Sequence, residues 1–185
     1  VYLYMFGLKL TFLILLLNFT ISRSQTGLDL TFGNSGRVLN YVSNYYEGYN
    51  DIALQSDNKI LTVGSLQIAG KFVTLVHRYL PNGNIDSSFA SNGNFTTSVN
   101  YEARGSGIDV RSDAKILITG YTRHWKNAAW QFDMYTIRLK PNGLLDSSFA
   151  TNGVFVSKIS TSSTSFNYAI KILKEQHSTI IIGGY

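Results

Sequence analysis

No cysteine occurs among the 185 residues, which excludes a disulfide framework, a thiolate nucleophile and a zinc-thiolate site. Proline is scarce at two residues, and charged side chains make up only 15%, so neither a Pro-rich linker nor a highly charged disordered tail fits. The three histidines, His77, His124 and His177, lack the spacing of a helical metal-binding pair, and no phosphate-cradling Gly-rich loop or nucleophile elbow is present. A formal charge of +5 is spread without the basic run or stripe that marks a nucleic-acid footprint. The expectation is a chain with no catalytic constellation, no cofactor, no metal site and no nucleic-acid partner.

Long hydrophobic runs are also missing, with one short exception near the start. Lys9 precedes an apolar run from Leu10 to Leu17, and small residues follow at Ser22 and Ser24. That order reads as a secretory signal peptide over residues 1–24, starting most cleanly at Met5. The run falls short of the ~18–20 residues a bilayer span needs, so no stable membrane span is expected after cleavage. Removing Lys9 and Arg23 leaves 14 basic against 11 acidic side chains.

Aromatic side chains are plentiful: twelve Tyr, eleven Phe and two Trp, with sixteen Gly. This balance favours strands joined by many turns. The chain also repeats itself. "DLTFGNSGRV" at 29–38 returns as "DSSFASNGNF" at 86–95 and "DSSFATNGVF" at 146–155, at steps of 57 and 60 residues. "DIALQSDNKILTVGS" at 51–65 answers "GIDVRSDAKILITGY" at 107–121, with a looser copy at 170–185. "RYLPNGNIDSSF" at the head of 78–98 answers "RLKPNGLLDSSF" at the head of 138–156, and the first phrase sits within 28–38. Such a period signals repeat architecture.

Each unit divides into four strand-sized pieces. Ile52 to Gln55 and Ile60 to Gly64 read as a hairpin across "SDNK", Phe72 to Leu80 as a third strand, and Asn94 to Ser98 as a fourth. In "PNGN", Pro81 and Gly83 suit a tight turn. The fold class is therefore all-β, with β-propeller-type repeats of four-stranded antiparallel blades over 25–185. Asp29, Asp86 and Asp146 are placed to accept backbone N–H bonds in a turn. Phe32, Phe89 and Phe149 can plug between neighbouring blades, and Gly93 and Gly153 allow tight entry into the last strand. One carboxylate per copy is too few for a calcium loop.

"LDLTFGNSGRV", "ALQSDNKILTVG", "RYLPNGNIDSSFASNGNF" and "RLKPNGLLDSSFATNGVF" resemble the delta-60 repeat family, extracellular bacterial repeats also described as a β-propeller domain of unknown function. The resemblance implies a propeller and an exported, bacterial protein, and brings no catalytic residues with it. Ala90 and Ala150 stand where that family usually has Gly, Asn58 and Ala114 replace the Gly of a hairpin turn, and Asn82 and Asn142 replace Asp.

About two full blades (51–98 and 107–158) and part of a third (168–185) make an incomplete arc, since a ring needs about four to eight blades. The chain is thus expected to be the front of a longer protein, truncated at its C-terminus, with Arg37 to Val42 as a strand that latches the ring. Repeats keep their turns at one end and differ at the other, in the stretches 40–50, 65–71, 100–107, 122–132 and 160–168, which read as variable loops where a binding face belongs. Both tryptophans, Trp125 and Trp130, fall there with Arg123 and His124, and Tyr45, Tyr46 and Tyr49 would enlarge the face. The expected function is a secreted or cell-surface, non-catalytic module binding a protein or glycan partner through these stretches. The alternatives are part of an extracellular enzyme whose catalytic residues lie in further blades, or a purely structural module of a surface or adhesive protein.

Overall fold

The computed structural model describes residues 27–40, 46–99, 101–126, 128–157, 169–176 and 179–184. The expected signal segment, Tyr45 and His177 lie outside them. The described residues form strands and turns without helix, so no helix is long and apolar enough to cross a membrane. Strands β1 (Glu47–Leu54), β2 (Ile60–Ile68), β3 (Lys71–Tyr79) and β4 (Asn94–Thr97) form one antiparallel sheet in the order β1-β2-β3-β4. A second sheet repeats that order with β5 (Glu102–Val110), β6 (Ile116–Lys126), β7 (Ala129–Leu139) and β8 (Val154–Ser157). A third begins with the hairpin β9 (Ala169–Gln176) and β10 (Thr179–Gly184).

The first two strands are longer than the sequence pattern suggests, while β3 and β4 fall within a residue of it. β1 begins at Glu47, five residues before Ile52, and β2 continues four residues past Gly64 to Ile68. Stretches 65–71 and 122–132 are not loops. They are the ends of continuous β2–β3 and β6–β7 hairpins, paired without interruption to Ile68↔Lys71 and to Lys126↔Ala129. A two-residue turn with both backbone angles left-handed, Ala69 and Gly70 at φ 49° and 80°, matches the twist of the flanking strands and lets pairing run to the tip. The expected strand at 37–42 is also not seen among the described residues. Arg37 makes isolated bridges with Gly33 and Asn34, and 38–40 pair with no strand; residues 41 and 42 lie outside the description.

The first strand of each unit carries a bulge at the same register, at Asn50 in β1 and Ser106 in β5. A bulge bends its strand and re-aims the adjacent side chains. The partner strand pays for the close approach with glycine: a Cβ at Gly64 would overlap the Gly48 carbonyl oxygen, and one at Gly120 the Arg104 carbonyl oxygen.

The core lies between the two sheets. Leu61, Val63 and Val76 of the first meet Ile108, Ile116, Ile118, Ile137 and Leu139 of the second. Polar contacts close the seam along its length: Asn50 Nδ2 donates to Gly105 O at 2.7 Å, Ile108 N to Asp51 Oδ2 at 3.1 Å and Arg78 Nη1 to Pro141 O at 2.6 Å.

Candidate functional site

The recurring Asp phrase holds the structure together. In the second copy, Asp86 Oδ1 accepts from the backbone N and the hydroxyl of Ser88, at 3.1 and 2.5 Å, closing the turn. Asp146 does the same with Ser148 at 3.2 and 2.7 Å. Each carboxylate is also an ion-pair node. Asp86 Oδ2 lies 3.4 Å from Lys59 Nζ, and Asp146 Oδ2 lies 3.0 Å from Lys115 Nζ, so the first turn of each sheet is tied to its third connection at one end. Burial pushes the Asp86 carboxyl up, but its Ser88 hydrogen bonds and the Arg78 and Lys59 cations outweigh burial and hold it below the ordinary value.

Phe89 is fully buried, packed against the Gly143 backbone of the next sheet, where a Cβ would lie 2.7 Å from the ring. Ala90 N donates to Asn142 O at 2.8 Å, and one unit earlier Gly33 N makes the same bond to Asn82 O at 2.8 Å. The phrases of the first two copies thus dock on the "PNG" turn of the unit that follows. Gly93 and Gly153 sit at φ 89° and 90°, as tight entry to β4 and β8 requires. Phe32 and Phe149 are half-buried.

The opposite end carries the expected binding residues. β6 and β7 are each two residues longer than β2 and β3, and the first added rung is the Trp125↔Trp130 pair itself. The two indoles meet edge to face at 5.2 Å between centroids and 76° between planes, and stay 60% and 39% exposed. They pack on each other rather than folding back onto the sheet. Strand alternation puts Tyr121, Arg123 and Trp125 of β6 with Trp130 and Phe132 of β7 on one face. The Arg123 guanidinium lies 4.4 Å over the Trp130 ring and donates from Nε and Nη2 to the two oxygens of buried Glu102, at 3.1 Å each. His124 falls on the other face, its Nδ1 3.8 Å from Asp133 Oδ2.

The tyrosines separate. Tyr46, 66% exposed, stands edge-on to Phe72 at 6.1 Å beside the β2–β3 tip, and so belongs to this end. Tyr49, 42% exposed, sets its hydroxyl 2.6 Å from Nδ1 of buried His77 and hydrogen-bonds Glu47. Tyr79 completes that cluster, 3.4 Å from His77 Nδ1 and accepting from Asn40 Nδ2 at 3.1 Å. Burial lowers His77 below its ordinary pKa and raises both tyrosines. The second sheet has Ile137 and Leu139 where the first has His77 and Tyr79, so this polar group was legible as a break in the repeat, though not as a contact.

Tyr49, Thr62 and Tyr79 line a cavity of about 490 Å³ with Phe32, Val38, Ile52 and Ile60. Its register decides its character. Ile52 is 65% exposed, whereas its counterpart Ile108 is 5% exposed because the first sheet covers it. The cavity is thus the open packing face of the first sheet, and the hairpin end is the stronger candidate for a ligand.

Residues 55–89 and 111–149 match the family model described as a domain of unknown function (DUF5122) beta-propeller, each match running from the β1–β2-type turn through the third strand to the plugging Phe. The sheets are β-propeller blades. Two are complete with four strands and the third shows its first hairpin, an arc that is not closed. No curated protein matches the chain. Among the described residues, no three His, Asp or Glu side chains gather as metal ligands.

Proposed function

We propose that the chain is an arc of exported delta-60-type propeller repeats that binds a partner, a glycan or a protein, through the blade ends where the β6–β7 hairpin projects. The observation that carries this reading is the added rung. A propeller blade does not need Trp125 and Trp130 for its own packing, since the first blade closes the corresponding hairpin with Ile68 and Lys71. Two large rings held exposed on a paired hairpin form a rigid, amphipathic contact surface at little entropic cost on binding. The repeated Asp, Arg and Phe residues are occupied by contacts within the blade, and Arg78 and Phe89 also by the next blade, which leaves the hairpin end as the part free to vary with a ligand.

The test is retention of the chain on a glycan array and on immobilised extracellular proteins, comparing it with the Trp125→Ala, Trp130→Ala double variant. Retention that disappears in the variant while the melting temperature holds supports the reading. Retention that survives in the variant, or no retention of the unaltered chain, contradicts it.

A further inference from the structure

The row of contacts at the hairpin end does not stop at the second blade. From Trp125 it passes to Trp130, to Arg123 and to Glu102, the neighbour of Tyr101. Tyr101, 48% exposed, lies under the Lys71 ammonium at 4.1 Å, across the seam in the first blade. Beside it the Arg104 guanidinium lies 3.5 Å over the Phe72 ring, and Phe72 touches Tyr46. Rings and cations of both blades therefore line this end, in a stripe whose two halves adjoin at Tyr101 and Glu102, next to each other in the chain.

Its charge is not balanced. Glu102 is consumed by Arg123, and Asp133 is buried beside His124 on the other face of the hairpin. Glu47 turns to Tyr49. Among the described residues, Lys71 and Arg104 have ring contacts but no carboxylate partner. A cation resting on a ring is held in place by the ring quadrupole without being neutralised. It remains available to an anion at little further ordering cost.

The geometry points to an acidic polysaccharide as the ligand of this stripe, with pyranose faces stacked on Trp125 and Tyr46 and its carboxylates or sulfates on Lys71 and Arg104. This rests on the binding reading above and narrows it. Exposed rings on two adjoining blades offer more than one stacking platform, as a ligand of several sugar residues uses, and the cations held on rings without a carboxylate partner select a charged chain over a neutral one.

Affinity electrophoresis of the full chain through gels containing alginate, dextran sulfate, uncharged dextran or polyphosphate tests it. The expected result is retardation by alginate, dextran sulfate or both, and not by dextran. Alginate alone would identify uronate carboxylates as the recognised group, and dextran sulfate alone sulfate esters. Lys71→Ala, on an exposed side chain, and Arg104→Ala should each weaken retardation by about tenfold, whereas Lys140→Ala at the opposite end should not. Equal retardation by dextran, or retardation undiminished in both cation variants, overturns the acidic ligand but leaves the hairpin face standing if the double Trp variant loses binding. Equal retardation by polyphosphate shows bulk charge attraction and overturns the inference, as does no retardation by any polymer. Retention unchanged in the double Trp variant would instead overturn the face itself.

Discussion

Arg78 donates from Nε to Asp86 Oδ2 at 2.9 Å, with both side chains buried, and sixty residues on Arg138 repeats the bond to Asp146 at 2.8 Å. Each guanidinium also covers the plugging ring, Phe89 at 4.5 Å and Phe149 at 4.7 Å. The repeated Arg, Asp and Phe therefore form one unit that ties β3 to the phrase after it. Arg78 adds the bond to Pro141 O that reaches the next blade. Arg78→Ala should cost about 3 kcal/mol, because it leaves the buried Asp86 carboxylate with only Lys59 and Ser88 and breaks the bond to Pro141 O. Arg138→Ala, on a more exposed pair with no contact to a further blade among the described residues, should cost clearly less. Urea unfolding of the two variants checks the order, and equal losses would contradict the inter-blade role.

The His77 cluster gives the fold a mild acid sensitivity. Burial depresses the folded-state pKa of His77, so the unfolded chain binds a proton more readily, and stability falls as pH drops below the unfolded value of about 6.5. His77→Ile, which installs the residue of the second blade, should flatten the stability profile between pH 7 and pH 5. Chemical-denaturation midpoints across that range would show it; an unchanged slope in the variant would assign the sensitivity elsewhere.

Ala114 sits at φ 61° in the β5–β6 turn, a left-handed angle that costs an L-residue about 1–2 kcal/mol. Ala114→Gly should therefore raise stability by about 1 kcal/mol, after the added unfolded-state entropy is counted. A thermal melt decides it: a lower midpoint in the variant would mean the strain is already relieved. Asn58, Ala90 and Ala150 share the left-handed angle, so non-glycine residues at these positions are tolerated strain rather than altered turns.

Gly120 and Gly48 should respond in opposite ways to the same substitution. A Cβ at Gly120 would overlap the Arg104 carbonyl oxygen opposite the β5 bulge, whereas at Gly48 the nearest atom is 3.9 Å away. Gly120→Ala should prevent the blade from closing, and Gly48→Ala should be nearly neutral. Circular dichroism of the two variants is sufficient, and a folded Gly120→Ala chain with unchanged melting would refute the close approach.

Much of this was legible because a repeat tests itself. Asp86, Phe89 and Gly93 recur at Asp146, Phe149 and Gly153, and residues that must cap, plug and turn cannot drift. What the sequence hid was of two kinds. The Arg78–Asp86 pair joins residues eight apart across a turn, which no local period reports. The hairpin ends look like loops in the sequence because the β6–β7 turn lacks an Asn-Gly signal, although "YTRHW" alternates ring and cation on one face as a strand does. The seam contacts Lys71–Tyr101 and Arg104–Phe72 depend on how two blades pack, which the order of residues alone does not specify.

The measurement that tests the account most directly uses the chain's two tryptophans, both on the β6–β7 hairpin, as its own reporter. Intrinsic emission is titrated with an alginate oligosaccharide and with dextran at fixed ionic strength. The account predicts a saturable change in emission with alginate, weakened by Lys71→Ala, and little change with dextran. Alginate that retards the chain in a gel yet leaves the emission unmoved would place binding away from Trp125 and Trp130 and contradict it.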